Sequence, residues 1–161
     1  LMIREIKKYP DSILSKKAEE VKEITPEIKR LAEDMIETML KAEPEGVGLA
    51  APQVGVSKRI FIAQTEKGPA VFINPEIIKK SRKTEVLEEG CLSLPGVWLK
   101  IKRVKWLKVQ YLDKEGLITE IKAEGMPARI LQHEIDHLNG ILIIERISAW
   151  QKIKGTLTRR K

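Results

Sequence analysis

Gln132-His133-Glu134-Ile135-Asp136-His137 is the stretch on which the reading of this chain turns. Met126-Pro127 opens a helix around it, Ile130, Leu131, Ile135 and Leu138 fall near one another on the helix surface, and Asn139-Gly140 stops it. Inside that helix His133 and His137 stand four residues apart, just over one turn, so both imidazoles leave the same face at a spacing that suits one tetrahedral ion. Glu134, one residue along from His133, reaches a water on that ion without being a ligand itself. This is the His-Glu-x-x-His arrangement of metal hydrolases, and the chain's only two histidines both lie in it.

Two histidines leave a third ligand to find. Proteases whose pattern runs on past a Gly to a third His are excluded, because Gly140 is followed by Ile143 at the ligand position. A carboxylate from a later helix is hard to supply: only Glu145 follows, and it falls in an expected strand or loop. The remaining candidate is the single cysteine, Cys91, in Glu88-Glu89-Gly90-Cys91-Leu92-Ser93-Leu94-Pro95-Gly96. A lone Cys is more often a small buried hydrophobe. Here Gly90 on one side and Pro95 beyond suggest an irregular backbone that presents a thiolate and a neighbouring N–H to one point.

The composition agrees with a metalloenzyme domain and excludes several other classes. With 161 residues, 42% apolar and 33% charged, the chain fits one domain with a buried core. One cysteine rules out an internal disulfide and the four-cysteine zinc ribbons. The net charge of +7 is mostly a tail effect: residues 150–161 hold Lys152, Lys154, Arg159, Arg160 and Lys161 without an acid. The first 149 residues therefore carry 25 basic against 23 acidic side chains, only +2. A second basic stretch, Lys100, Lys102, Arg103, Lys105 and Lys108, is spaced like a solvated sheet face. Abundant Lys, Glu and Ile with few Asn would suit a thermophile. Residues 1–10 lack the apolar stretch of ~7–15 residues of a signal peptide. The longest aliphatic run, residues 141–144, is far short of the ~18 needed to span a bilayer. A cytoplasmic protein is expected, and Leu1 ahead of Met2 suggests Met2 as the natural start.

The remaining elements read as α+β. Thr25 is an N-cap, Pro26 sits at the first helical position, and Ile28, Leu31, Ala32, Met35, Ile36, Met39 and Leu40 recur along one face of about four turns. Pro44 and Gly46 end that helix. From there to about residue 124, short runs rich in Ile, Val, Phe, Trp and Tyr alternate with turn signals, and the best hairpin joins 104–112 to 117–123 through Asp113-Lys114-Glu115-Gly116. Ser148 is positioned to cap a last, short helix. There is no alternation of βα units. Gly46-Val47-Gly48-Leu49-Ala50-Ala51 nearly matches a dinucleotide fingerprint but follows a helix, contains Pro52 just beyond, and lies beside Glu43 and Glu45. It reads instead as a small-residue segment where backbone and ligand approach closely, with Gln53 supplying an amide donor.

Three stretches, Gly46-Val47-Gly48-Leu49-Ala50-Ala51-Pro52-Gln53, Glu89-Gly90-Cys91-Leu92-Ser93 and Gln132-His133-Glu134-Ile135-Asp136-His137, resemble the three motifs of the peptide deformylases, intact and in order. The resemblance covers nearly the whole chain. It implies an α+β fold with antiparallel β-sheets packed around a central helix carrying the His-Glu-x-x-His motif, plus an N-terminal helix and a short C-terminal basic helix or tail. Residues 1–149 are expected to form one metallohydrolase domain and 150–161 the basic tail. The implied activity is removal of the N-formyl group from the formyl-methionine of nascent polypeptides, releasing formate.

The implied metal ligands are Cys91, His133 and His137 around one divalent ion, Fe(II) by preference, with Zn or Ni possible in isolated protein. A metal-bound hydroxide is the implied nucleophile and Glu134 the general acid/base, while the Gln53 amide and the Leu92 backbone N–H stabilise the oxyanion. Val47, Gly48, Met126 and Ile130 are expected at the substrate, with His133 also lining the methionine pocket and the backbone near Gly48 pairing with extended substrate. Glu89 and Arg103 align with an ion pair supporting the cysteine loop. Trp98 departs from the charged or aliphatic residue usual at its place on the pocket rim. The basic tail is a candidate ribosome contact through phosphates. Two other functions share parts of this evidence. A metalloprotease would use the same helix, and a nucleic-acid-binding module would account for the tail, although no zinc-finger or stacking motif or specific DNA-binding signature accompanies the charge.

Overall fold

The computed structural model describes residues 1–147 and the backbone of 158–159. Helix α1 spans Pro26–Leu40 and starts where expected, with Thr25 Oγ1 accepting from Ile28 N at 3.4 Å and Pro26 in the first turn. The eight strands among the described residues are β1 (Gly48–Ala50), β2 (Ile60–Thr65), β3 (Gly68–Lys80), β4 (Thr84–Cys91), β5 (Leu94–Val104), β6 (Trp106–Leu112), β7 (Ile118–Glu124) and β8 (Thr158–Arg159). Helix α2 covers Met126–Leu138 and a single turn, α3, covers Ile143–Arg146.

The strands form two antiparallel sheets, ordered β1-β2-β3-β6-β7 and β4-β5-β8. The larger sheet is covered on both faces by helices, which is why the first four residues of β2, Ile60-Phe61-Ile62-Ala63, are all apolar. Ile60 and Ile62 pack with Leu31, Met35 and Met39 of α1, whereas Phe61 and Ala63 pack with Ala128, Leu131, Ile135 and Leu138 of α2. Phe61 stacks on Phe72 at 4.6 Å between ring centroids, and Phe72 meets Tyr111 at 4.3 Å. The expected hairpin is β6–β7, closed by Asp113, whose Oδ1 accepts from Glu115 N at 2.8 Å and Leu117 N at 3.0 Å.

Helix α2 has two working faces. The apolar one lies on the larger sheet; the polar one, with Arg129, His133, Asp136 and His137, turns toward the smaller sheet. Its end is fixed by Gly140, at φ +72°, where a Cβ would come within 2.7 Å of the Ser15 carbonyl carbon and oxygen. Two expectations are corrected here. Glu145 lies in α3 rather than a strand or loop, because its Oε2 accepts from Leu142 N at 2.7 Å and nucleates a turn. Lys100, Lys102 and Lys105 are solvated as expected, but Arg103 points the other way and is buried. The helix expected from Ser148 lies outside the described residues. No helix of the described residues is long and apolar enough to cross a membrane.

The N-terminal segment is tied to α1 by a buried carboxylate. Asp34 Oδ1 accepts from Met2 N at 2.8 Å and Oδ2 from Arg4 Nε and Nη2 at 3.2 and 3.0 Å. Burial raises the Asp34 pKa, but these donors and the Arg4 charge outweigh it and leave the carboxyl below its ordinary value. The contribution is therefore complete above the unfolded-state pKa of about 4 and is lost as pH falls through the lower folded-state value. Asp34→Asn is expected to cost about 1–3 kcal/mol at pH 7. Urea titrations of both chains at pH 7 and pH 3 check this, with the gap narrowing in acid.

Candidate active site

Two elements bring the candidate ligands together. Strand β4 ends in Cys91, and α2 carries His133 and His137 on its polar face. Their donor atoms lie within 4.8 Å of one another. Cys91 Sγ is 3.3 Å from His137 Nε2, which is 3.2 Å from His133 Nε2. Burial pushes the Cys91 thiol up, but the two imidazoles hold it well below the usual thiol range. His133 in turn, despite its burial, is held well above the ordinary imidazole value by Cys91 and Glu89. Electrostatics that hold a proton among one sulfur and two nitrogens hold a divalent cation in its place, and this donor set suits a transition metal.

Glu134 lies beside this cluster, buried, with its Oε2 lacking a hydrogen-bond partner among the described residues. Burial raises its pKa to about 7, against the opposing pull of His133 and His137. A buried, unpartnered carboxylate oxygen next to three converging donors is placed to take a proton from a molecule bound between them. The position depends on Gly48. A Cβ there would come within 2.3 Å of Glu134 Oε1 and 2.8 Å of its Cδ.

The opposite wall is set by Gln53, which is buried in the short 3-10 turn after β1. Its Oε1 accepts from Ala50 N at 2.9 Å, so its Nε2 points the other way, 3.1 Å from Ser93 Oγ and 3.7 Å from Cys91 Sγ. Leu92 adjoins it, and the N-terminal segment braces both: Lys7 N donates to Gln53 O at 2.7 Å, Lys8 Nζ to Leu92 O at 2.7 Å and Tyr9 N to Ser93 O at 2.9 Å. A cavity of about 630 Å³ opens from this point, lined by Val47, Gly48, Gln53, Cys91, Leu92, Met126, Ile130, His133 and Glu134. Val47 and Met126 are both 55% exposed, which puts them at the mouth. Trp98 also lines it, with its ring against Gly90, where a Cβ would lie 3.0 Å from two ring carbons.

Behind the ligands lies a buried ionic network. Arg103 Nε and Nη2 donate to Glu89 Oε1 and Oε2 at 2.8 and 3.0 Å, and Arg103 Nη1 donates to Asp136 Oδ2 at 2.6 Å. Glu89 Oε2 is also 3.0 Å from His133 Nδ1. Burial alone raises the Glu89 carboxyl, but Arg103 and His133 bring it down to about 2. It therefore stays ionised and keeps the Nδ1 proton, leaving Nε2 to face the cluster. Every metal, catalytic, substrate and supporting residue named from the sequence falls in this region, with Arg103 and His137 behind the cavity wall; apart from the backbone of 158–159, the basic tail lies outside the described residues. Ser93, Arg129, Asp136 and Arg146 were not foreseen. Asp136 and Ser93 stood inside quoted motifs and Arg129 one turn before His133, but Arg146 carried no local signal.

An α+β fold that gathers a thiol and two imidazoles into one cluster, beside a buried carboxylate at a cavity, is that of a metal-dependent hydrolase. Comparison with known proteins makes the assignment particular. The family model for polypeptide deformylase matches residues 3–153. The peptide deformylase of Desulforudis audaxviator is 47% identical over 155 residues, 96% of this chain and 99% of the relative. The crystal structure of peptide deformylase from Thermotoga maritima superposes with a TM-score of 0.86 at 48% identity, covering 92% of this chain and 99% of that one. That of Ehrlichia chaffeensis in complex with actinonin gives 0.89 at 42% identity, over 96% and 94%. The chain belongs to the polypeptide deformylase family, enzymes that remove the formyl group from an N-terminal methionine. That assignment favours deformylation over the protease and nucleic-acid readings.

The contact at Gly48 yields a direct test. Gly48→Ala is expected to keep the metal and the fold while displacing Glu134, lowering kcat/KM for a formylated peptide about 10²-fold, as loss of a positioned acid/base does. Metal analysis and turnover on one sample check it.

Proposed function

We propose that this chain deformylates nascent polypeptides with one divalent ion held by Cys91, His133 and His137, with Glu134 moving the proton. The observation that carries the reading is the convergence of those three side chains within 4.8 Å beside a buried carboxylate oxygen with no hydrogen-bond partner among the described residues. When bound, the ion polarises the formyl group and makes water a nucleophile near neutral pH. Glu134 takes the proton from the attacking water and delivers it to the departing amine nitrogen, and its pKa near neutrality suits both transfers. Gln53 Nε2 and the Leu92 backbone N–H donate to the formyl oxygen as it gains charge. Formate and a free N-terminus leave.

The substrate binds across the cavity. Its methionine side chain enters between Val47, Met126 and Ile130, apolar residues suited to a thioether. Its extended backbone pairs with β1, which forms one edge of the larger sheet at Gly48. Glu89 and Arg103 support the ligands from behind. The physiological ion is Fe(II) by family resemblance, with Zn or Ni in isolated protein, and the reaction takes place in the cytoplasm, where formylated chains emerge.

The test is formate release from formyl-Met-Ala-Ser with metal analysis of the same sample. Cys91→Ala is expected to lose the metal and keep the fold; Glu134→Gln is expected to keep the metal and lose turnover by about 10²-fold or more. Metal-replete Cys91→Ala, or an active Glu134→Gln, would reject the assigned roles. After anaerobic reconstitution iron is expected to outperform zinc, and equal turnover with both would remove the iron assignment.

The basic tail supports one further reading, docking on ribosomal RNA through its five unopposed cations. Deletion of residues 150–161 is expected to weaken ribosome co-sedimentation and flatten its salt dependence. Unchanged binding would reject the role.

A further inference from the structure

Glu89 faces three donor residues, Arg103, His133 and Arg129. Arg129 is 3% exposed and sits one helical turn before His133 on the same face of α2. Its Nη1 donates to Glu89 Oε1 at 2.8 Å and to Ile101 O at 2.9 Å, and its Nη2 donates to Glu85 O at 3.1 Å. One guanidinium thus joins α2, which carries two candidate ligands, to β4, which carries the third, and to β5 beside it.

The division of labour on Glu89 is specific. Oε1 takes Arg103 Nε and Arg129 Nη1; Oε2 takes Arg103 Nη2 and faces His133 Nδ1. Arg103 spends Nε and Nη2 on Glu89 and its Nη1 on Asp136 at 2.6 Å, so it has no further donor to give Oε1. Asp136 also accepts from Arg146, which comes from α3 and is partly exposed. Without Arg129, Glu89 Oε1 would keep only Arg103 Nε, and the Arg103 fork alone would set how far Oε2 stands from His133 Nδ1. We infer that Arg129 is a positioning residue for His133: by pinning Glu89 Oε1 it keeps Oε2 on Nδ1 and holds Nε2 aimed at Cys91 and His137. The inference rests on the ligand set assigned above.

The test measures metal retention, not activity alone. Wild type, Arg129→Met and Arg129→Lys are loaded with zinc, and metal loss to excess chelator is timed beside thermal melting; cobalt-loaded samples give the visible ligand-field spectrum. Arg129→Met removes every donor and is expected to lose metal roughly 10–100-fold faster, the range typical of a lost ligand-supporting partner, with an altered cobalt spectrum. Arg129→Lys keeps one charged donor for Glu89 but cannot also serve both carbonyls. It is expected to melt below wild type yet lose metal within about threefold of the wild-type rate.

A role in holding the helix and strands together, without positioning His133, would make metal loss follow melting temperature through all three chains. That result, or an Arg129→Met chain that holds zinc as wild type does, would overturn the inference. If Arg129→Met does not fold, Arg129→Lys decides alone: a lowered melting temperature with near wild-type retention supports it, and retention lost in step with melting overturns it. Wild-type protein that binds no metal would instead contradict the ligand set, and this inference with it.

Discussion

The hydrogen bond between the buried Glu89 and His133 Nδ1, 3.0 Å long, is the contact on which the rest of the site depends. A histidine offers a lone pair on one ring nitrogen only when the other holds its proton, and an ionised carboxylate at Nδ1 decides which is which. Burial makes an ionised carboxylate expensive, and the structure offsets that cost with guanidinium groups from β5 and α2. The network is therefore a device for orientation more than for stability. An apolar replacement of equal volume would fold as well and leave His133 without a fixed tautomer.

The architecture follows from the two faces of α2. Ala128, Leu131, Ile135 and Leu138 belong to the larger sheet's core, so the helix cannot rotate without exposing them. Fixing that face fixes the opposite one, where His133 and His137 meet Cys91 at the end of β4. Close approach completes the arrangement: β1 reaches Glu134 only because residue 48 has no side chain, and the Trp98 ring lies near the cysteine loop because residue 90 has none. The glycines of two of the three motifs thus do steric work that a phosphate-binding loop would have done electrostatically.

Local signals carried much of this in the sequence. The α1 cap, the β6–β7 turn and the ends of α2 were readable because each is set by residues within a few positions of one another. The ligand helix was readable because its period is that of the helix. What could not be read were contacts between distant segments. By spacing alone Arg103 looks like one more basic residue on a solvated face; its pairing with Glu89 was legible only through family resemblance, and its bond to Asp136, made where β5 meets α2, was not legible at all. Arg129 lies 40 residues from Glu89 and Ser93 the same distance from Gln53, with no periodicity linking either pair. Glu145 was misplaced because the run Ile141-Leu142-Ile143-Ile144 has strand composition, while the bond from Glu145 back to Leu142 N closes a turn.

Every proposed role in the site depends on one sulfur and two imidazole nitrogens meeting at one ion. X-ray absorption at the metal edge of the loaded protein measures that shell directly. The prediction for a zinc sample is one sulfur at ~2.3 Å and two imidazole nitrogens at ~2.0–2.1 Å, with a light atom completing four-coordination. A shell without sulfur, or with fewer than two imidazoles, would contradict it.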